Sequence, residues 1–423
     1  MSLFNFSVQE LTLFVLLIII CFPLLVIAKH AMFTDGAGIS WAVPLIVCLF
    51  FVFIDFQAKL NTGGNIRYIG TLVCMLALLV INGSIRILDY SRRLGLVIQV
   101  LVCISVSGSL FGRINDGELT GALPIAIPMI ILLMRFPSTV LDFNFRKGTI
   151  IIIVVCLLIN LEVILVRLEI LPKKALLVFS HEQSFIILLG LLLAISIRSK
   201  LLVLISSMLI LIAFGLYPAA TLPLAVAVAG GTYLIANKLQ LRIVRILTSC
   251  LYLTSVIISI FYSKIIFDST SVYFTFVGKA NNSDYRTALI EAALSEIRQN
   301  LIFGSFFRGS ATVQAVVLDN QTYQLPVHND YITLTLCGGL FFLSLFLIIP
   351  IFLNCSTLKT LCLLDKDSDL RRVLLAMLAA VNIALASSFA NPILINPGNS
   401  TIFYCLIATV ISLNSSAKLR LKK

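Results

Sequence analysis

The chain has 423 residues, 60% of them hydrophobic and only 12% charged, with a mean hydropathy of +1.07. A water-soluble domain carries about a quarter charged residues, so this composition excludes a soluble enzyme and implies one integral membrane domain over 1–423. The net charge of +12 is scattered between apolar runs and builds no continuous patch, which argues against nucleic-acid binding and for a topology signal in cytoplasmic connectors.

A spanning helix needs about 20 apolar residues. Candidate spans fall at 11–28, 39–56, 68–85, 94–111, 121–135, 149–168, 183–197, 201–217, 219–236, 246–267, 331–353, 373–390 and 402–414. They predict an all-α, polytopic transmembrane helical bundle of about 12–13 spans. No Lys or Arg precedes the first run and no small-residue cleavage site follows it, so a retained span is expected there, not a signal peptide. Pro23, Pro44, Pro124, Pro128, Pro218, Pro223 and Pro350 mark local kinks, tolerated where neighbours or cavity water satisfy the freed carbonyl. Glu162 is costly in lipid and therefore a functional candidate; Arg167 and Glu169 are near enough in sequence for an interfacial ion-pair cluster instead.

Ten cysteines are present, none of them within 268–330, and no Cys-x-x-Cys occurs. Most lie in or beside apolar runs, where Cys behaves as a small hydrophobe. Disulfide frameworks and zinc sites are disfavoured.

Orientation follows from Lys and Arg in the connectors. Lys418, Arg420, Lys422 and Lys423 of the tail, Lys359, Lys366, Arg371 and Arg372 of connector 354–372, and Lys238, Arg242 and Arg245 of connector 237–245 fall on one face. The polar segment 268–330 falls on the other. It holds Lys279, Arg286, Arg298 and Arg308 against Asp268, Asp284, Glu291, Glu296, Asp319 and Asp330, an acidic balance that suits the extracytoplasmic side. The same parity places Arg198 and Lys200 inside; a single broken span over 201–236 would put Arg198 outside.

The one long stretch too polar for the bilayer is 268–330, and candidate chemistry concentrates there. A turn-rich run from Lys279 to Asp284 leads into an amphipathic helix from Tyr285 to Leu301. Leu289, Ala293, Ile297 and Leu301 recur every four residues, while Arg286, Glu291, Ser295 and Arg298 take other faces. Ser283 or Asp284 can cap its start, and Gly304 follows its end. Its arginines either stay solvated, pairing with Glu291 and Glu296, or bind an anion. His328 precedes the next apolar run, beside Asn329 and Asp330, where an imidazole can exchange a proton near neutral pH; a structural histidine is the alternative. Asp365-Lys-Asp367-Ser-Asp369 resembles an acidic metal-binding motif, but its Lys/Arg-flanked connector reads as a solvated loop.

Taken together, Arg286-Thr-Ala-Leu, Ile297-Arg-Gln-Asn-Leu-Ile-Phe-Gly304, His328-Asn329-Asp-Tyr-Ile and Gly338-Gly339 resemble the signature of the bacterial O-antigen polymerase/O-antigen ligase superfamily. In that family an Arg opens a loop helix, an Asn-Pro-x-x-Gly-like turn closes it, and a His-Asn pair starts the next span with a Gly eleven residues on. Here Leu301 replaces the Pro, while Asn300, Gly304 and Gly339 match. The resemblance implies metal-independent glycosyl transfer from an undecaprenyl-diphosphate-linked oligosaccharide, without a cofactor, on the periplasmic side of the bacterial inner membrane. It makes His328 and Arg286 catalytic, and Arg298, Arg308, Asn329 and Tyr285 substrate-binding. Arg198 is carried over as counterpart of a Ser-Arg at the end of an earlier span, one place out of register. Membrane lipid is an implied partner, and a chain-length regulator protein is allowed. The fairly short loop favours a polymerase of repeat units; a ligase acting on lipid A-core, or a polysaccharide flippase from another functional class, are the alternatives. The absence of an internal repeat weighs against a transporter.

Overall fold

The structure is a computed structural model that describes residues 41–49, 74–75, 77–78, 92–116, 123–134, 145–168, 170, 184–216, 221–238, 243, 254, 257, 281–307, 312–317, 321–389, 391, 393–394 and 396–422. The expected span 11–28, the span 246–267 apart from residues 254 and 257, half of 39–56 and most of 68–85 lie outside these residues. The chain is mainly helical. In order come α1 (Arg92–Asp116), α2 (Leu123–Met129), a 3-10 turn (Ile130–Leu133), α3 (Phe145–Arg167), α4 (Ser184–Ser196), α5 (Lys200–Leu216) and α6 (Thr221–Lys238). Then follow α7 (Asn281–Gln299), strands β1 (Thr312–Val317) and β2 (Gln321–Pro326), α8 (Asp330–Leu363), α9 (Asp369–Ser387) and α10 (Pro397–Lys422). Among the described residues, three stretches, Asp330–Leu363, Asp369–Ser387 and Gly398–Leu421, are helices long and apolar enough to cross a membrane.

The polar segment differs from the expectation of short helices alone. It carries one 19-residue helix, α7, and a two-stranded antiparallel ribbon in which Thr312 pairs with Pro326 and Val317 with Gln321. The cause is local: Thr-Val-Gln-Ala-Val-Val is rich in β-branched residues, and Gln-Thr-Tyr-Gln-Leu-Pro sets a Thr beside a Tyr, both strand formers.

α9 lies at the centre, packed by α4, α6 and α10. Apolar packing alone does not specify register when lipid is as apolar as leucine, so polar pairs between helices matter. Asn354 of α8 and Asn382 of α9 exchange amide hydrogen bonds of 2.9 and 3.0 Å, and Asn382 Nδ2 also donates to Thr232 of α6 at 3.1 Å. Close approach of α3 and α4 relies on Gly190, where a Cβ would stand 2.8 Å from that of Cys156. Below them, buried Arg371 donates from Nε to the Leu361 carbonyl and from Nη2 to Asn237, closing the ends of α8 and α6.

α8 is broken at Gly339, whose φ of 66° and ψ of −175° are not helical. A straight helix would hold residues 331 and 354 about 34 Å apart. Yet the Tyr331 hydroxyl donates to the Leu385 carbonyl, and Asn354 reaches Asn382, within one turn of α9. The short arm before the break therefore bends back towards the bundle. Residues 301–307 plug the gap: Leu340 and Phe341 N–H donate to the carbonyls of Leu301 and Ile302, while Ser305 and Phe307 N–H donate to those of Leu336 and Cys337. Two glycines make this contact possible. Gly304 (φ 58°) and Gly339 both occupy the left-handed half of φ space. A Cβ on Gly304 would lie 2.6 Å from the Gly339 nitrogen, and one on Gly339 would lie 2.1 Å from the Ile302 oxygen.

Candidate functional site

A second, smaller core sits where the polar segment meets the short arm of α8. Leu289, Ile290, Ala293 and Ile297 of α7 close on Val313 of β1, on Val327, and on Ile332 and Leu336 of α8. Arg286 precedes Leu289 and Ile290 by three and four residues, so it shares their face, and it is 5% exposed. This corrects the expectation from sequence. The every-four series from Leu289 alone sets Arg286 on another face, whereas the one-turn offset brings it inside. Glu291, Ser295 and Arg298 are exposed, as the helical pattern predicts.

His328 follows the fully buried Val327 and precedes a helix start fastened from several sides. The Asn329 side-chain oxygen accepts from the N–H groups of Tyr331 and Ile332 at 3.0 and 3.2 Å, capping α8. Asp330 donates its N–H to the Ser388 carbonyl, and its fully buried carboxylate accepts from Ile393 and Leu394 N–H at 2.8 and 2.9 Å. These contacts fix the backbone on which the imidazole stands. Sequence reasoning assigns Asp330 no part in the site; an acidic residue in the first turn of an apolar helix is the signal that could find it. Burial, and then the positive charge of Arg286, push the His328 pKa down from 6.5 to about 4. The ring is therefore neutral at pH 7 and lies within electrostatic reach of the guanidinium.

Comparison with protein-family models, with curated proteins and with solved structures gives no match.

Of the remaining candidates, Arg298 and Arg198 do not join this pair. Arg298 stands at the exposed C-terminal turn of α7, about 18 Å along the axis from Arg286, where a cation suits the helix dipole. The Tyr285 side chain and all of Arg308 lie outside the described residues. Asn329 uses its side-chain oxygen as a helix cap, so positioning is the part visible in the fold. Arg198 is at the far end of the molecule. It occupies the turn between α4 and α5 with φ 54° and forms an ion pair with Asp367, in the connector between α8 and α9. That contact holds the Asp367 carboxyl below its usual range, and Arg372 pairs with Asp369 beside it. The acidic run 365–369 thus turns two of its carboxylates to arginines, while Ser368 caps α9 by accepting from Arg371 N–H.

Chemically, a permanently charged guanidinium next to a neutral imidazole forms an anion-binding and proton-accepting pair. An anion drawn to Arg286 would offset the charge that opposes protonation of His328, so the base would strengthen as the anion arrives.

Proposed function

We propose that this chain is a membrane glycosyltransferase that polymerises lipid-linked oligosaccharide repeat units, with 268–330 on the outer face of the bacterial cytoplasmic membrane. The observation that carries this reading is the buried Arg286 charge acting on His328 at the start of an apolar helix. The motif resemblance and the acidic balance of the segment support it. In the reaction an acceptor sugar hydroxyl attacks the anomeric carbon of the donor. The glycosyl–phosphate bond breaks, and undecaprenyl diphosphate leaves with the bonding electrons. Arg286 meets the charge that builds on the phosphate oxygens, and His328 accepts the hydroxyl proton. The donor's isoprenoid lies in the bilayer while its sugars stand in water, so a site at the mouth of the helix bundle suits both halves.

The test is the purified chain in nanodiscs with undecaprenyl-diphosphate-linked repeat units. A ladder of longer lipid-linked glycans is expected, lost in Arg286→Ala and in His328→Ala. Transfer only after lipid A-core is added would replace this reading with a ligase. In cells, substrate trapped on the cytoplasmic side of a deletion strain would replace it with a flippase.

A further inference from the structure

The plug formed by residues 301–307 has an outward side as well as the inward one that closes the break in α8. Ile302, Phe303 and Phe306 are 61%, 52% and 46% exposed, and Leu301 is exposed beside them. The Phe303 ring lies 6.0 Å from that of Phe306 and 5.9 Å from that of Phe341 on α8. Phe341 in turn begins an exposed apolar stripe on α8 that continues through Ile348 and Phe352. The short arm before the break is buried throughout from Asp330 to Gly339. The outward face of this membrane-length helix thus starts at the break and continues the plug; it is apolar apart from Ser344, whose hydroxyl is turned back to the Leu340 carbonyl. The 24 residues from 340 to 363 rise about 36 Å, enough for a hydrocarbon layer of about 30 Å.

The backbone of the plug says what it faces. Irregular chain in water can leave its N–H groups to solvent, whereas chain at membrane depth must pair them with protein. In the second half of the plug the N–H groups of Gly304, Ser305, Phe306 and Phe307 donate within the protein, to Asn300, Leu336, Phe303 and Cys337, and in the first half the carbonyls of Leu301 and Ile302 accept. In sequence, residues 299–307 carry no charge and are bracketed by Arg298 and Arg308. That pattern lets long cationic side chains reach phosphate headgroups while the residues between enter the acyl region.

We propose that residues 301–307 form a wedge inserted in the outer leaflet, with Leu301, Ile302, Phe303 and Phe306 against lipid acyl chains. The wedge continues the lipid-facing stripe of α8 and anchors the C-terminal end of α7 to the bilayer. The Arg286–His328 pair is thereby held at headgroup level, because α7 and the short arm of α8 both lead from the wedge to it.

The test uses the single tryptophan of the chain, Trp41. Phe303→Trp and Phe306→Trp are each made in a Trp41→Phe background and reconstituted in phosphatidylcholine vesicles. Bromines on the acyl chains are expected to quench the new emission, and aqueous iodide to leave it unchanged. Quenching by iodide, or by neither agent, would overturn the proposal: the first places the plug in water, the second beneath protein. Should either variant fail to fold, a diazirine-tailed phospholipid photolysed with the unaltered chain makes the same distinction. Adducts within 301–306 support the wedge, and adducts confined to other segments overturn it. Neither readout requires glycan transfer, so failure here is separable from failure of the polymerase reading.

Discussion

At the Leu363 end of α8, Arg198 meets Asp367 with both side chains in solvent, and the half-buried Arg372 meets the exposed Asp369. At the Asp330 end, Arg286 is buried and acts on an imidazole. The first arrangement is what a connector does with surplus charge: opposite signs meet, water screens them, and the net contribution is small. The second discourages a positive charge on His328 and keeps a guanidinium out of bulk water. A buried cation that perturbs a neighbouring base at a helix mouth marks a functional site more than a stabilising one.

The contrast breaks first at Arg286. In the nanodisc assay, Arg286→Ala is expected to slow chain extension about 10²–10³-fold, the usual loss when a donor to developing charge is removed. Arg198→Ala should leave the rate within about twofold, since water screens an exposed ion pair and the pair lies far from the chemistry. Equal losses at both ends would erase the distinction. Next comes Gly339→Ala. Its positive φ with extended ψ is a conformation for glycine alone and costs about 1–3 kcal/mol in other residues, before the collision with the Ile302 carbonyl. A clear fall of the thermal midpoint in detergent is expected, along with faster proteolysis after residue 300.

Asp330→Asn sharpens the contrast on a smaller scale. Two charge-assisted hydrogen bonds to Ile393 and Leu394 N–H weaken to neutral ones, for a loss of about 1–2 kcal/mol in unfolding experiments. Asp367→Ala has the smallest effect, because its ion pair stands in solvent. Its thermal midpoint should match that of the unaltered chain.

Much of this arrangement is legible in the sequence because it is local. The apolar runs 94–111, 149–168 and 331–353 coincide with helices α1, α3 and α8, and Leu289, Ala293 and Ile297 do form the buried face of α7. What escapes is non-local. Gly304 and Gly339 are 35 residues apart, and nothing in either neighbourhood says that each leaves room for the other's backbone. The burial of Arg286 follows from a one-turn offset that acquires meaning only once β1 and the short arm of α8 cover that face. Motif likeness points to Arg198 as a substrate ligand, and the fold sets it against Asp367 instead. The ribbon 312–326 carries its signal in β-branched residues, but its polarity reads as loop.

The buried Arg286 and the half-buried His328 act on each other at the start of α8, and a titration reads that coupling most directly. With only three histidines in the chain, the His328 resonance is identified by its loss in His328→Gln. A midpoint of about 4 is expected, moving upward in Arg286→Gln as the repelling charge is removed. A midpoint near the ordinary 6.5, unmoved by that substitution, would contradict it.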